Sequence, residues 1–75
     1  MKVSYKAYEL IRAKYLAKGK IISDEGCIAY RETIVKGTEH QYTIYEELYS
    51  EEEYDELYIS IYEDDNLIEQ YEVRV

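Results

Sequence analysis

The 75 residues are 47% apolar and 35% charged, and seventeen acids against nine bases leave a net charge of −8. This apolar content excludes outright disorder, and no apolar run approaches the roughly 20 residues of a membrane span. A single cysteine, Cys27, excludes an internal disulfide framework and a cysteine-based zinc site.

Met1-Lys2-Val3-Ser4-Tyr5 has neither the apolar core nor the small-residue cleavage site of a secretory signal, so a cytoplasmic protein is expected. Residues 5–18 read as a helix. The segment is rich in Ala, Leu, Lys, Arg and Glu, which lose little entropy in a helix. Ser4 is placed to cap its first amides, and Gly19 stands where a left-handed residue ends a helix. Tyr8, Ile11 and Tyr15 recur at helical spacing and form the expected buried stripe.

Beyond Gly19, turn-like clusters (Ser23 to Gly26, Lys36 to Glu39, Ser50 to Asp55, Asp64 to Asn66) separate β-branched and tyrosine-rich runs. Strands are predicted at 20–23, 27–35, 41–49, 56–63 and 67–74. Over 27–35 a helix capped by Ser23-Asp24-Glu25 competes, but Gly26 and the β-branched Thr33-Ile34-Val35 favour a strand. With no proline, no Gly/Ser linker and no repeat, the expectation is one α+β domain over 1–75. Its N-terminal helix packs on an antiparallel meander of four to five strands.

The last two hairpins fix a register. A three-residue loop 64–66, with Asn66 left-handed, sets Leu57, Ile59 and Ile61 on one face with Val73, Tyr71 and Glu69. Pairing Leu48 with Leu57 sets Ile44 opposite Ile61. The predicted core face is then Tyr42, Ile44, Leu48, Leu57, Ile59, Ile61, Tyr71 and Val73, with Glu46 and Glu69 as misfits. The opposite face carries Tyr45, Glu47, Tyr49, Glu56, Tyr58, Tyr62, Glu72 and Arg74, with Arg74 opposite Glu56 as a cross-strand ion pair.

The residues carry no catalytic constellation. His40 and Cys27 are the sole histidine and cysteine, nothing orients a third member beside them, and they read as a solvated turn residue and a small buried hydrophobe. Asp64-Asp65-Asn66 lacks the spaced ligands and closing glutamate of a calcium loop, so no metal and no cofactor is expected. Residues 1–38 hold eight bases and four acids, and residues 39–75 thirteen acids and one base. The basic helix is suited to phosphates, yet the acidic half repels nucleic acid, and direct binding of DNA or RNA is not expected. All eleven aromatics are tyrosines, a residue enriched at interfaces. A protein-binding surface is therefore predicted at Tyr45, Glu47, Tyr49, Glu51, Glu52, Glu53, Asp55, Glu56, Tyr58, Tyr62, Glu63, Asp64 and Asp65.

With its run Glu46-Glu47-Leu48-Tyr49-Ser50-Glu51-Glu52-Glu53-Tyr54-Asp55-Glu56 and its second run Tyr62-Glu63-Asp64-Asp65, the chain resembles small acidic inhibitors encoded by phages and viruses, of the anti-CRISPR and DNA-mimic kind. The resemblance implies a non-enzymatic inhibitor that occupies the basic groove of a nucleic-acid-binding protein or nucleoprotein complex, such as an RNA-guided nuclease. The rival reading is a small assembly protein that self-associates through sheet edges, or an antitoxin-like partner of one basic enzyme. Net charge opposes self-association, so a monomer or weak homodimer is expected.

Overall fold

In a computed structural model, which describes residues 1–50 and 55–74, one helix packs on a six-stranded mixed sheet. The elements in chain order are β1 (Lys2–Val3), α1 (Tyr5–Leu16), β2 (Lys20–Gly26), β3 (Tyr30–Lys36), β4 (Gln41–Ser50), β5 (Asp55–Glu63) and β6 (Asn66–Val73). The sheet order is β1-β6-β5-β4-β3-β2. The meander from β2 to β6 is antiparallel as expected. The sixth strand is the correction: Lys2 and Val3 pair in parallel with Glu72 and Val73, so the sheet is mixed and the strands number six rather than four to five.

Local signals account for most boundaries. Ser4 caps α1, its side-chain oxygen accepting from the Ala7 amide at 3.1 Å. The helix ends at Leu16, two residues short of the expected 18, with a right-handed cap at Ala17. Gly19 has no left-handed φ. Its role is close approach, since a Cβ there would lie 2.1 Å from the Lys36 carbonyl oxygen, where the chain leaves the helix and enters β2. Within 27–35 the strand, not the helix, is found, but it begins only at Tyr30, and β2 runs on to Gly26. Cys27 lies in the intervening turn and is exposed, not buried.

The core-side register is the expected one. Leu48 meets Leu57, Ile44 meets Ile61, Ile59 meets Tyr71 and Leu57 meets Val73. The β5–β6 turn reaches it differently. Glu63 pairs with Asn66, so only Asp64 and Asp65 form the loop, and Asp64 rather than Asn66 takes positive φ, at 54°. The surplus residue moves into the strand as a bulge at Ile68, after which Ile61 faces Glu69.

Ile44, Ile59 and Ile61 are fully buried at the centre, with Val35, Val73 and Tyr15 around them. At ~1.5–3 kcal/mol for each fully buried aliphatic side chain, this cluster is the main stabilising term. Tyr8, Ile11, Leu16, Val3, Tyr42, Leu57 and Tyr71 flank it. The two misfit acids are satisfied by α1. Glu46, 6% exposed, accepts from the Tyr8 hydroxyl and pairs with Arg12 at 3.2 Å. Glu69 accepts from the Tyr15 and Tyr71 hydroxyls. Burial first, then the bond to Glu46, pushes the Tyr8 phenol well above the ordinary tyrosine range.

A buried ion pair is roughly neutral against an apolar replacement, whereas breaking it strands a charge. Arg12→Ala should therefore destabilise the fold by about 3 kcal/mol in urea unfolding, while Arg12→Met with Glu46→Leu should restore stability to within about 1 kcal/mol of wild type. Equal losses in the single and double variants would show that the pair does not govern helix docking.

Candidate binding face of the sheet

Because side chains alternate along a strand, the register that sends Ile44, Ile59 and Ile61 to the helix sends a second set to the other side, where no element of the described residues covers them. Tyr30, Glu47, Tyr58, Glu72 and Lys2 form one row across five strands. Glu25, Glu32, Tyr45, Ser60 and Gln70 form the next. Ile34, Thr43, Tyr62 and Leu67 lie on one side of these rows, and Tyr49 with Glu56 on the other. Tyrosine and glutamate thus alternate both along and across the strands.

The tyrosines hold the carboxylates without neutralising them. Tyr58 Oη donates to Glu56 at 2.8 Å and to Glu72 at 3.2 Å, and the Tyr49 hydroxyl donates to Glu47. The Glu56 bond, with desolvation behind it, drives the Tyr58 phenol well above its usual range, and the Glu47 bond raises Tyr49. Tyr45 is raised mainly by burial. The rings also support one another: Tyr30 stacks on Tyr45 at 6.0 Å, and Tyr49 meets Tyr58 edge-on at 5.8 Å. Lys2 is the one basic residue in these rows, and its ion pair with Glu72 at 3.0 Å lowers that carboxylate's pKa.

The predicted residues divide into four groups. Tyr45, Glu47, Tyr49, Glu56, Tyr58 and Tyr62 are brought together on the open face. Asp64 and Asp65 border it, lining a hollow of about 400 Å³ with Glu32, Thr43, Tyr45 and Tyr62. Glu63 shares the helix side with Tyr42, which it faces in the register. Glu51, Glu52 and Glu53 lie outside the described residues, and Asp55 is described only as the first paired residue of β5. The expected Arg74–Glu56 pair is absent among the described residues: Arg74 follows the end of β6, its amide donating to the Val3 carbonyl, and Glu56 is held by Tyr58. Tyr30, Glu32, Ser60 and Gln70 join the face without having been predicted. The four-residue loop Gly37 to His40, which pairs Lys36 with Gln41, is the signal that would have carried the register into β3.

Other chemistry is dispersed. Cys27 and His40 sit at opposite ends of β3, about 20 Å of strand apart. Among the described residues no cluster of three or more His, Cys, Asp or Glu side chains could hold a metal, and no helix is long and apolar enough to cross a membrane. The helix bases are turned to local partners, with Lys14 over the Tyr15 ring, Lys18 over Tyr42 and Arg12 on Glu46. No protein-family model, curated protein or solved structure matches the chain.

His40 clasps two turns at the border of the face. Its Nδ1 lies 2.8 Å from Asp64 Oδ2, and Asp64 Oδ1 accepts from the Gln41 amide. Asp64 first, then Glu63, raises the His40 pKa. A raised histidine stabilises the fold fully below its unfolded value near 6.5, and that contribution disappears as pH rises through the folded value. The thermal midpoint should therefore fall as pH rises from 6 to 8, and His40→Asn should flatten that slope; an unchanged slope in the variant would sink the clasp.

Proposed function

We propose that this protein is a non-enzymatic inhibitor whose open tyrosine–glutamate face docks in the basic, nucleic-acid-binding groove of a partner, in the manner of anti-CRISPR and DNA-mimic proteins. The observation that carries the reading is the composition of that face: five glutamates (Glu25, Glu32, Glu47, Glu56 and Glu72) stand among five tyrosines (Tyr30, Tyr45, Tyr49, Tyr58 and Tyr62), against Lys2 at one edge and the facing Lys20 and Lys36 at the far end of β2 and β3. Like-face neighbours along a strand recur every ~6.8 Å and adjacent strands lie ~4.8 Å apart, so the negative charges are spaced regularly, as phosphates are. Tyrosine supplies contact area at low entropic cost, and carboxylates steer a positive groove onto it.

Affinity capture from cells of the source organism, followed by a nucleic-acid displacement assay on the captured protein, tests this directly. The partner should release its nucleic acid as the inhibitor is added. Charge reversal at Glu47 and Glu56 should slow association at least tenfold and flatten its dependence on salt, and Tyr58→Ala should speed dissociation by tenfold or more, as loss of a desolvated anchor does. Lys14→Ala with Lys18→Ala should leave both rates unchanged. A partner that keeps its nucleic acid, or that is lost only with the lysine changes, overturns the reading. Capture of nothing but further copies of the chain would favour an assembly role through sheet edges.

A further inference from the structure

One part of the open face is shaped for a particular cation. Tyr58, in the middle of β5, has a glutamate directly opposite on each neighbouring strand, Glu47 on β4 and Glu72 on β6, and a third, Glu56, two residues back on its own strand. Tyr49, opposite Glu56, sets its ring at 78° to that of Tyr58. Two steeply inclined tyrosine rings and the carboxylates Glu47 and Glu56 border an open hollow of about 410 Å³, with Ser60 and Gln70 completing its lining. That is within the size range of small-ligand sites. Among the described residues, which include every lysine and arginine of the chain, neither Glu47 nor Glu56 has a basic partner within 4 Å.

We infer that this hollow is a receptor for an arginine side chain, the guanidinium lying against the Tyr49 and Tyr58 rings and bonding Glu47 and Glu56. The inference rests on the protein-docking reading of the face and names the residue that the partner inserts. Three features select guanidinium over other cations. Glu56 and Glu72 meet at the Tyr58 hydroxyl that both accept from, not at an open point between carboxylates, and the described residues hold no cluster fit for a metal ion. Glu47 and Glu56 are diagonal neighbours across β4 and β5, about 7 Å apart at Cβ, so a compact ammonium reaches one of them at a time. A flat, extended cation with five forked donors can stack on an aromatic wall and pair with a carboxylate in the same pose. The tyrosine hydroxyls already orient these carboxylates from the ring side, leaving their remaining lone pairs for the incoming donors.

The test titrates the intact, isotope-labelled protein with N-acetyl-arginine-N-methylamide, its lysine counterpart and magnesium chloride, followed by NMR. The arginine compound should bind with a millimolar dissociation constant, at least threefold tighter than the lysine compound, with the largest shifts at residues 47, 49, 56, 58 and 60. Glu47→Gln with Glu56→Gln should weaken it at least fivefold, and Tyr49→Leu should remove the preference for arginine over lysine while a folded spectrum is retained. Equal binding of the two compounds, tighter binding of magnesium, or shifts centred on Tyr45 and Tyr62 would each overturn the inference. The docking reading is decided separately by displacement: if the Glu47→Gln, Glu56→Gln protein still displaces nucleic acid from the captured partner as wild type does, the arginine receptor fails and the docking face stands.

Discussion

Everything distinctive about this molecule follows from a mismatch in coverage. One helix of twelve residues is about 18 Å long, and it must shield a sheet of six strands. It can do so on one side only, so the chain buries a single row of apolar side chains per strand and leaves the alternate row to face solvent. The helix side is consequently short of apolar material at its margins. There Glu46 and Glu69 occupy core-facing positions, and Tyr8, Tyr15 and Arg12 reach from α1 to satisfy them. These polar contacts specify where the helix sits, because an apolar stripe alone would tolerate sliding along the sheet, whereas a buried carboxylate left without its donors costs several kcal/mol.

The same alternation explains which parts of the structure were legible in the sequence. Leu48, Leu57, Ile44 and Ile61 carry a period-two signal strong enough to pair β4 with β5 to the residue, and Ile59 with Tyr71 extends it to β6. Where the signal is two residues long, as at Lys2 and Val3, it vanishes: β1 exists because the end of β6 offers it a parallel partner, a tertiary fact with no local trace. The bulge at Ile68 was hidden for a different reason. A three-residue loop and a two-residue loop followed by a bulge restore the same downstream register, so hydrophobic pattern cannot separate them. Gly19 was misassigned because a helix-terminal glycine serves equally for a left-handed φ and for close approach of two backbones, and only the position of Lys36 decides between them. On the open face, Tyr45, Glu47, Tyr49, Glu56, Tyr58 and Tyr62 followed directly from the register, and Glu63 did not because it shares its side of the sheet with Tyr42.

Tyrosine is the residue that lets an exposed sheet remain both ordered and charged. A lysine opposite each glutamate would hold the carboxylates by neutralising them, and the face would lose its field. A phenolic hydroxyl donates a hydrogen bond and adds no charge, so Glu47 and Glu56 are positioned without a basic partner, while Glu72 is held by both Tyr58 and Lys2. The phenols respond in the expected direction: the bond to Glu56, then desolvation and the bond to Glu72, all favour the neutral Tyr58 phenol and raise its pKa. Ordered side chains surrender less entropy on binding than free glutamates would, and that saving is available to any partner that meets the face as it stands.

The basic helix does not spoil this arrangement, for a reason of distance. Lys6, Lys14 and Lys18 are exposed on the helix layer, on the far side of the sheet from Glu47 and Glu56. A helix packed on a sheet puts those charges more than about 10 Å from the carboxylates, which is a full Debye length at 0.1 M salt. A positive groove approaching the open face therefore meets the carboxylates at close range and the lysines only after screening. The net charge of −8 counts Lys6, Arg12, Lys14 and Lys18 of the helix layer, so it understates the field on the open side by the share of those four bases. The resulting dipole would turn the sheet, not the helix, toward any positively charged surface.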